Sequence, residues 1–139
     1  MGSSKTHPAS PVLQILYLSQ LAEGSDFGVV KDIVRGSRTH NHSRGITGAL
    51  LFDGERFCQL LEGSESELSA LMQRIESDAR HAAIRTLHKG QAGARALRSW
   101  RSGYCESAND LDAFEGERGL VGPGAVQRFV ALAKAADLE

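Results

Sequence analysis

A β-hairpin near the middle of the chain constrains the fold more than any other feature. Two apolar segments, residues 46–52 and 56–61, flank the dipeptide Asp53-Gly54. Asp-Gly is typical of tight hairpin turns, because both residues tolerate the positive φ angles that such turns need. The sequence therefore predicts two neighbouring antiparallel strands, and the remaining elements have to pack around them.

A strand and a helix are predicted before this hairpin. Residues 13–19 alternate as a strand with two apolar faces, which carry Leu13, Ile15 and Tyr17 on one side and Leu16 and Leu18 on the other. A helix then begins at Ser25 or Asp26 and is predicted to end near residues 36–38, followed by a polar loop over residues 39–44. Its apolar positions form one stripe: Phe27, Val30, Ile33 and Val34.

The clearest helix signal follows the hairpin. Ser64 and Glu67 form the S-x-x-E pattern of a helix start. The apolar residues after them recur at helical spacing, as Leu68, Leu71, Met72 and Ile75. A polar exit loop is expected over residues 78–81.

The rest of the chain is predicted to hold two strands, a linker and a helix. The strands are residues 84–88 and 97–104, and residues 106–122 are expected to be a polar, Gly-rich linker of low helical order. Pro123 opens a helix with one apolar stripe, formed by Val126, Phe129, Val130 and Ala133. This order predicts an α+β, ferredoxin-like βαββαββ sheet with two helices on one face and the C-terminal helix on the other.

Length and charge bound the function. The 139 residues suit one ordinary domain, which we divide into a disordered leader (1–11), a folded domain (12–105), and a linker with a capping helix (106–139). A net charge of −1 argues against nucleic-acid binding, which needs a basic face. No apolar run approaches the roughly 20 residues of a membrane span. Cys58 and Cys105 lack metal-type spacing and indicate reduced thiols in a cytoplasmic protein.

Gln59 is a polar residue in the middle of an apolar strand. A buried amide without partners costs about 1–3 kcal/mol, so Gln59 is expected to face a polar group inside the fold. Tyr17 is the candidate, because this topology places the first and third strands side by side. The pair is either a structural contact between two buried side chains or part of a ligand pocket.

Asn41 lies between His40 and His42 in the predicted loop. It is either a turn residue that tolerates left-handed backbone or an amide that pairs with a ligand edge offering a donor beside an acceptor. A zinc site built from both histidines with His81 and Cys58 is disfavoured, because the spacing fits no usual zinc motif.

Charged residues cluster where the second predicted helix ends. Arg74, Asp78, Arg80 and His81 lie within eight positions. Such a group is usually a solvated helix end, where cations also complement the helix dipole. A pyrophosphate ligand would use the arginines as bidentate donors instead. Spacing alone does not separate the two interpretations.

Together these residues resemble the BLUF family, the bacterial blue-light sensors that use FAD. The resemblance covers residues 13–104. It is carried by LYLS in the first strand, by the block NHSRGITGALLFDGERFCQLLEG, by SDARH after the second helix, and by the tryptophan of the fifth strand. It implies FAD held non-covalently between two helices, no enzymatic activity, and a signal passed to a separate signalling protein or through self-association, with a dimer as the expected oligomer.

The resemblance also implies roles for single residues. Tyr17 matches the photochemical electron donor, and Gln59 matches the bridge between that tyrosine and the flavin. Trp100 and Ser102 match positions of signal output. Because the family usually has Met where this chain has Ser102, we expect intact photochemistry with altered output. The positions that match flavin-binding residues are Ser37, His40, Asn41, Gln59, Arg74, Asp78, Arg80 and His81.

The alternative is a small ferredoxin-like enzyme, or a flavin-storing or interaction module without photochemistry. An enzyme needs a poised nucleophile or base, yet strand alternation points Cys58 away from Gln59. An RNA-binding sheet would carry several exposed aromatic residues on its central strands, and Phe57 alone does not meet this requirement. The absorbance of the purified protein separates these readings.

Overall fold

One mixed β-sheet organises residues 12–138, the part of the chain that a computed structural model describes. Its strands are β1 (Val12–Leu21), β2 (Thr47–Phe52), β3 (Arg56–Gly63), β4 (His81–Ala92) and β5 (Trp100–Tyr104). The helices in this part are α1 (Phe27–Ser43), α2 (Glu65–Glu76), α3 (Pro123–Ala135) and the 3-10 helix Asp110–Phe114. The leader predicted over residues 1–11 lies outside the described residues.

The sheet has the strand order β4-β1-β3-β2-β5. Strand β1 is antiparallel to β3 and β4, β2 is antiparallel to β3, and β5 runs parallel to β2. This confirms the predicted α+β, ferredoxin-like arrangement. The predicted hairpin turn joins β2 to β3, with Gly54 at φ +106°. Asp53 Oδ1 closes the turn by accepting from the backbone N–H groups of Glu55 (2.9 Å) and Arg56 (2.7 Å).

The two faces of the sheet carry separate cores. Helices α1 and α2 cover one face, where Ile15, Tyr17 and Phe57 are buried with apolar residues of both helices. Helix α3 and the 3-10 helix cover the other face. There the strand residues Leu16, Leu18, Cys58 and Leu60 are buried against Ala125, Val126, Phe129 and Ala133. The prediction that the C-terminal helix covers this second face is therefore confirmed.

Helix α1 is longer than the sequence predicted, because it continues through the expected loop to Ser43. Gly36 and the polar Asn41 interrupt the apolar periodicity, although Asn41 is only 1% exposed and extends the buried face of the helix. Gly45, at φ +67°, ends the helix. The N–H of Ile46 then donates to the carbonyl oxygen of Asn41 across 3.0 Å, as in helix ends with a left-handed glycine.

The segment predicted as a linker of low helical order is in fact anchored. It contains the 3-10 helix Asp110–Phe114, and the side chains of Leu111 and Phe114 are fully buried under the α3 face of the sheet. Because acidic residues surround these two apolar side chains, the sequence shows no apolar periodicity here that would predict a buried segment. Arg56 fastens the segment to β3 through Asp112 at 2.7 Å and Glu115 at 3.3 Å.

Strand β4 begins earlier than predicted and is irregular. The expected exit loop ends at Arg80, and His81 already pairs with Leu21 of β1. The register shifts between Leu18 and Gln20, where β4 inserts one extra residue. Ala83 lies at this bulge with φ +50°. Bulges of this kind re-aim neighbouring side chains, and here the bulge directs His81 to the face that carries Tyr17.

Candidate functional site

A chain of three buried polar side chains crosses the sheet face under α1 and α2. Tyr17 of β1 lies directly opposite Gln59 of β3. The Gln59 Nε2 donates to Tyr17 Oη across 2.5 Å. On the other side, Trp100 Nε1 of β5 donates to Gln59 Oε1 across 2.8 Å. The three side chains are at most 3% exposed, so the predicted meeting of Tyr17 and Gln59 is confirmed.

The hydrogen-bond chemistry fixes which way the Gln59 amide points. An indole N–H is only a donor, so the atom that faces Trp100 has to be the amide oxygen. The amide nitrogen therefore faces Tyr17 and uses the phenol oxygen as acceptor. The Tyr17 O–H proton is left to point elsewhere, which makes the phenol a donor available to a further group.

Burial keeps Tyr17 protonated. The phenol is fully buried, and this desolvation raises its pKa well above the usual value, although the hydrogen bond from Gln59 acts in the opposite direction. His81 lies beside it, with the two ring centroids 6.4 Å apart. Desolvation also lowers the pKa of His81, and its Nδ1 is 3.1 Å from Ser19 Oγ. Burial thus favours the neutral form of both Tyr17 and His81.

A cavity of about 110 Å³ opens between α1 and α2 above this chain. Its walls are partly aliphatic, with Ile33 from α1 and Leu71 and Ile75 from α2. Seven of the sequence-predicted polar residues border it, with Tyr17 as an eighth: Ser37, His40, Gln59, Arg74, Asp78, Arg80 and His81. The structure therefore brings together residues from both helices and three strands around one space.

Three residues with predicted roles do not border this cavity: Trp100, which contacts it only through Gln59, and Asn41 and Ser102. Asn41 is buried in α1, with its Oδ1 3.2 Å from His40 Nδ1, and it does not border the cavity. Ser102 faces a neighbouring groove between α1 and β5, which it lines with Leu50. Ser102 therefore borders this groove and not the cavity.

An ion pair borders the cavity where α2 ends. Arg80 Nε and Nη2 donate to the two carboxylate oxygens of Asp78 across 2.9 and 2.6 Å. These bonds lower the pKa of Asp78 to about 2 and raise that of Arg80. Among residues 12–138, Arg74 forms no salt bridge. One guanidinium is thus tied to a carboxylate while the other remains available.

Sequence reasoning missed a second buried network, which holds the segment before β5. The carboxylate of Glu62 is fully buried and accepts from the backbone N–H groups of Ala96 (2.6 Å) and Leu97 (3.0 Å). Gln14 Nε2 also donates to it across 2.9 Å. Trp100 follows three residues after Leu97. The available signal was a glutamate inside the apolar strand β3, only three positions after Gln59.

The opposite face of the sheet holds no poised nucleophile among residues 12–138. Cys58 is completely buried in the core under α3, away from the cavity, and burial raises its pKa. Burial also raises the pKa of Cys105 to about 11, so both thiols stay protonated. No helix in this part of the chain is long and apolar enough to cross a membrane.

Fold and cavity together define a class: a small α+β domain with a cavity between two helices, beside a buried tyrosine. The comparison with known families is specific. Residues 12–103 match the family model described as sensors of blue-light using FAD, and the chain belongs to this BLUF family. It is accordingly a flavin-binding blue-light photoreceptor domain, and the resemblance drawn from its sequence is confirmed.

Similar proteins support this assignment over different shares of their length. The antirepressor BluF of Escherichia coli, described as regulated by blue light and temperature, is 32% identical over 81 residues, which are 58% of this chain but 20% of that protein. The dark-state structure of the BLUF protein BlrB is 26% identical with a TM-score of 0.71, covering 89% of this chain and 97% of that one.

A structure of BlrP1 from Klebsiella pneumoniae, with FMN and cyclic diGMP, is 28% identical with a TM-score of 0.63. The match covers 87% of this chain and 30% of that one. The chain therefore spans less than a third of the length of BluF and of BlrP1, and nearly all of BlrB.

Proposed function

We propose that the protein holds FAD non-covalently between α1 and α2, and that blue light switches the hydrogen bonds of Tyr17, Gln59 and Trp100. The observation that carries this proposal is the continuous donor–acceptor chain across the sheet, from Tyr17 through Gln59 to Trp100. It joins a group beside the cavity to the edge strand β5. Such a chain can turn a change at the ligand into a change at the surface.

The residues around the cavity fit a flavin. Aliphatic side chains suit the faces of a flat ring, and polar groups such as Ser37 and His40 suit its polar edge. Gly36 leaves space in α1, because a Cβ there would meet no atom within 4 Å. The cavity of about 110 Å³ is smaller than the roughly 300–1,000 Å³ of most ligand pockets. Lining side chains therefore have to turn aside to admit the ring.

The charged residues favour FAD over FMN. Arg74 and Arg80 both border the cavity, and arginines bind phosphate groups through two parallel hydrogen bonds. Two arginines suit a pyrophosphate better than a single terminal phosphate. Asp78 holds one of them in place through the bonds described above. Ser37, His40 and His81, which border the cavity, complete the proposed binding set. Asn41 joins them on the resemblance to the family alone, because it does not border the cavity.

A bound flavin would supply absorption of blue light and an electron acceptor. Tyr17 would donate to it an electron and then the phenol proton. The phenol carries this proton at neutral pH, and burial raises its pKa further above that range. His81 and Ser19 shield the site, and the buried surroundings exclude water from the tyrosine.

Gln59 converts the event into a changed hydrogen-bond pattern. If its amide rotates by half a turn, Oε1 faces Tyr17 and Nε2 faces the indole N–H of Trp100, where two donors oppose each other. Trp100 then loses its acceptor or shifts. A buried donor without a partner costs about 1–3 kcal/mol, which equals the usual range of allosteric couplings. The rotation therefore changes the hydrogen bonding of Trp100 on β5.

The signal passes to a separate protein, or to a second copy of the chain, in the bacterial cytoplasm. Support comes from the position of Trp100 on β5, an edge strand that pairs only with β2 among residues 12–138. BluF and BlrP1 are both much longer than this chain, and the name of BluF describes it as an antirepressor. We propose no catalytic role for the domain itself.

The test is an absorption spectrum before and after blue light. We expect a yellow protein that releases FAD on acid precipitation, identified by chromatography against FMN, and a small reversible red shift in light. Tyr17→Phe and Gln59→Leu should each abolish the shift while retaining flavin. Gln20→Leu, an exposed glutamine of the same sheet, is the matched control. A normal red shift in either site variant, or a protein that flavin cannot reconstitute, contradicts the proposal.

A further inference from the structure

Two exposed aromatic side chains mark a second surface, away from the flavin cavity. Among residues 12–138, the large hydrophobic side chains with high exposure are Phe27, Tyr104 and Val121. Phe27 and Tyr104 are each 53% exposed, and their rings stack with centroids 6.1 Å apart and planes at 10°. Phe27 was expected inside the apolar stripe of α1, yet it lies at the edge of this surface. Exposed apolar groups that cluster in this way mark interaction sites.

The aromatic pair stands at one end of a groove between α1 and β5, which we call the α1–β5 groove. Its apolar lining includes Val30 and Val34 of α1 and Phe52 of β2, and its volume is about 560 Å³. The α1 residues that border it run from Phe27 to Arg38. At about 1.5 Å per residue this length corresponds to roughly three helical turns.

The charged side chains that border the groove are all positive. Lys31, Arg35 and Arg38 border it, and no carboxylate does. Arg35 has a neighbour in Asp32, but this pair is 3.9 Å apart with both side chains largely exposed, so it is weak. Lys31 Nζ lies 5.4 Å from the centre of the Phe27 ring. An occupant has to offer both apolar contact and negative charge.

The groove is joined to the photoactive residues through one row of the sheet. Tyr17 pairs with Gln59, Gln59 pairs with Leu50, and Leu50 pairs with Ser102 across four adjacent strands. Leu50 and Ser102 border the α1–β5 groove. Trp100, which bonds to Gln59, lies two residues before Ser102 on the same strand. A shift of β5 therefore changes the floor of the groove.

We propose that the α1–β5 groove binds an amphipathic helix of a partner protein, about three turns long, whose apolar stripe is flanked by Asp and Glu. The stripe covers Phe27 and Tyr104, and the acidic flank meets Lys31, Arg35 and Arg38. This is the helix-in-groove mode of recognition, and charge complementarity selects the partner. The docking itself is independent of the proposed photochemistry, and only its dependence on light rests on it.

The probe is a synthetic amphipathic peptide of about 18 residues, because shorter isolated helices are marginal in water. It carries Leu at helical spacing and Glu on both flanks, and a matched peptide carries Lys in place of every Glu. Binding to the 139-residue chain, loaded with flavin and kept in the dark, is measured by titration and by NMR chemical shifts. We expect the acidic peptide to bind at least about tenfold more tightly, a difference of 1.4 kcal/mol, and to shift the amides around Phe27 and Ser102.

A charge-reversal variant, Lys31→Glu/Arg35→Glu/Arg38→Glu, should reverse this preference. All three side chains are exposed, so the fold should survive. The matched control, Arg118→Glu/Arg128→Glu/Lys134→Glu, has the same change in net charge on other exposed positions and should bind like the unchanged protein. Four results overturn the proposal: no saturable binding of the acidic peptide, equal affinity for both peptides, shifts confined to another surface, or a peptide that binds as an added strand on β5.

Illumination then separates the two hypotheses. A light-dependent change in affinity for the acidic peptide shows that the row from Tyr17 to Ser102 couples the sites. Tight acidic binding in the dark without any photocycle would refute the proposed function and leave the groove assignment standing. A normal photocycle with no acidic binding would refute the groove alone.

Discussion

The indole of Trp100 donates a hydrogen bond of 2.8 Å to the side-chain oxygen of Gln59, although the two residues are 41 positions apart in the chain. Both side chains are buried, and the same amide donates to Tyr17 from its other end. The amide oxygen of Gln59 therefore already accepts from Trp100, and its nitrogen already donates to Tyr17. Any exchange of its two ends would disturb Trp100, so under the proposed switch the tryptophan opposes the exchange and reports it.

Trp100→Phe should slow dark recovery. The substitution removes the only indole donor, so rotation of Gln59 no longer leaves a buried N–H unpaired. If the light state is stabilised by about 1–3 kcal/mol, its return should slow by about five- to a hundredfold, since about 1.4 kcal/mol changes a rate tenfold. Recovery is followed by absorbance after a light pulse. An unchanged recovery rate, in a variant that keeps its flavin, would show that Trp100 does not oppose the switch.

Glu62→Gln should destabilise the protein and loosen the segment before β5. The carboxylate accepts from the amides of Ala96 and Leu97 on different oxygens, whereas an amide side chain can accept on only one atom. Each donor left unpaired costs about 1–3 kcal/mol. Urea unfolding measures the loss, and hydrogen exchange at Ala96 and Leu97 locates it.

Glu67→Gln is the control for this change. Glu67 lies at the start of α2, and its Oε1 is 3.7 Å from Arg44 on the surface, so the expected loss is below about 1 kcal/mol. Equal stability of the Glu62 and Glu67 variants would contradict the role assigned to the buried network. Destabilisation without faster exchange at residues 96–97 would contradict its location.

Parts of this site follow from the sequence because strands have a period of two. The hairpin at Asp53-Gly54 fixes β2 beside β3, and the βαβ order fixes β1 beside β3. Parity then places Tyr17 and Gln59 on one face, where the structure finds them opposite each other. No knowledge of side-chain contacts was needed, because alternation along paired strands decides the face of every residue.

Other parts depend on contacts that the local sequence does not contain. The bond from Trp100 to Gln59 requires β5 to lie in one position beside β2. Glu62 fixes that position by binding backbone amides just before β5, more than thirty residues away in the chain. The position of His81 depends on a bulge at Ala83, an alanine in left-handed backbone that no pattern indicates. Leu111 and Phe114 are anchors only because α3 and the sheet leave room for them.

Acid should remove the contribution of the Asp78–Arg80 pair. Hydrogen bonds from Arg80 lower the pKa of Asp78 to about 2, below the roughly 3.9 of an unfolded aspartate. A depressed folded-state pKa gives stability that is present above the unfolded value and is lost as pH falls towards the folded one. Wild-type and Asp78→Asn proteins should therefore differ most at neutral pH and converge between about pH 4 and pH 2.

The size of this difference should be modest. The side chains of Arg80 and Asp78 are 44% and 23% exposed, so water screens the pair and we expect at most about 1 kcal/mol. Urea unfolding across the pH range measures it. Asp32→Asn, which removes a longer and more exposed pair with Arg35, is the control and should change little at neutral pH. A gap between wild type and Asp78→Asn that widens in acid would reverse the sign and refute the assignment.

Ser102→Met should leave the Tyr17–Gln59 photochemistry in place and alter how β5 and Trp100 respond to it. Ser102 lies in the α1–β5 groove beside Leu50, outside the cavity between α1 and α2, so the longer side chain occupies part of the groove without reaching that cavity. Each newly buried CH₂ contributes about 0.8 kcal/mol, and Met adapts to irregular space. When the introduced Met packs against α1, β5 holds Trp100 more firmly, so dark recovery and the light-induced change in Trp100 fluorescence should both differ from the wild type.

The partly occupied groove of the Ser102→Met variant should also bind the acidic peptide less tightly. Identical recovery, fluorescence and peptide affinity in the two proteins would show that position 102 does not connect the pocket to the surface.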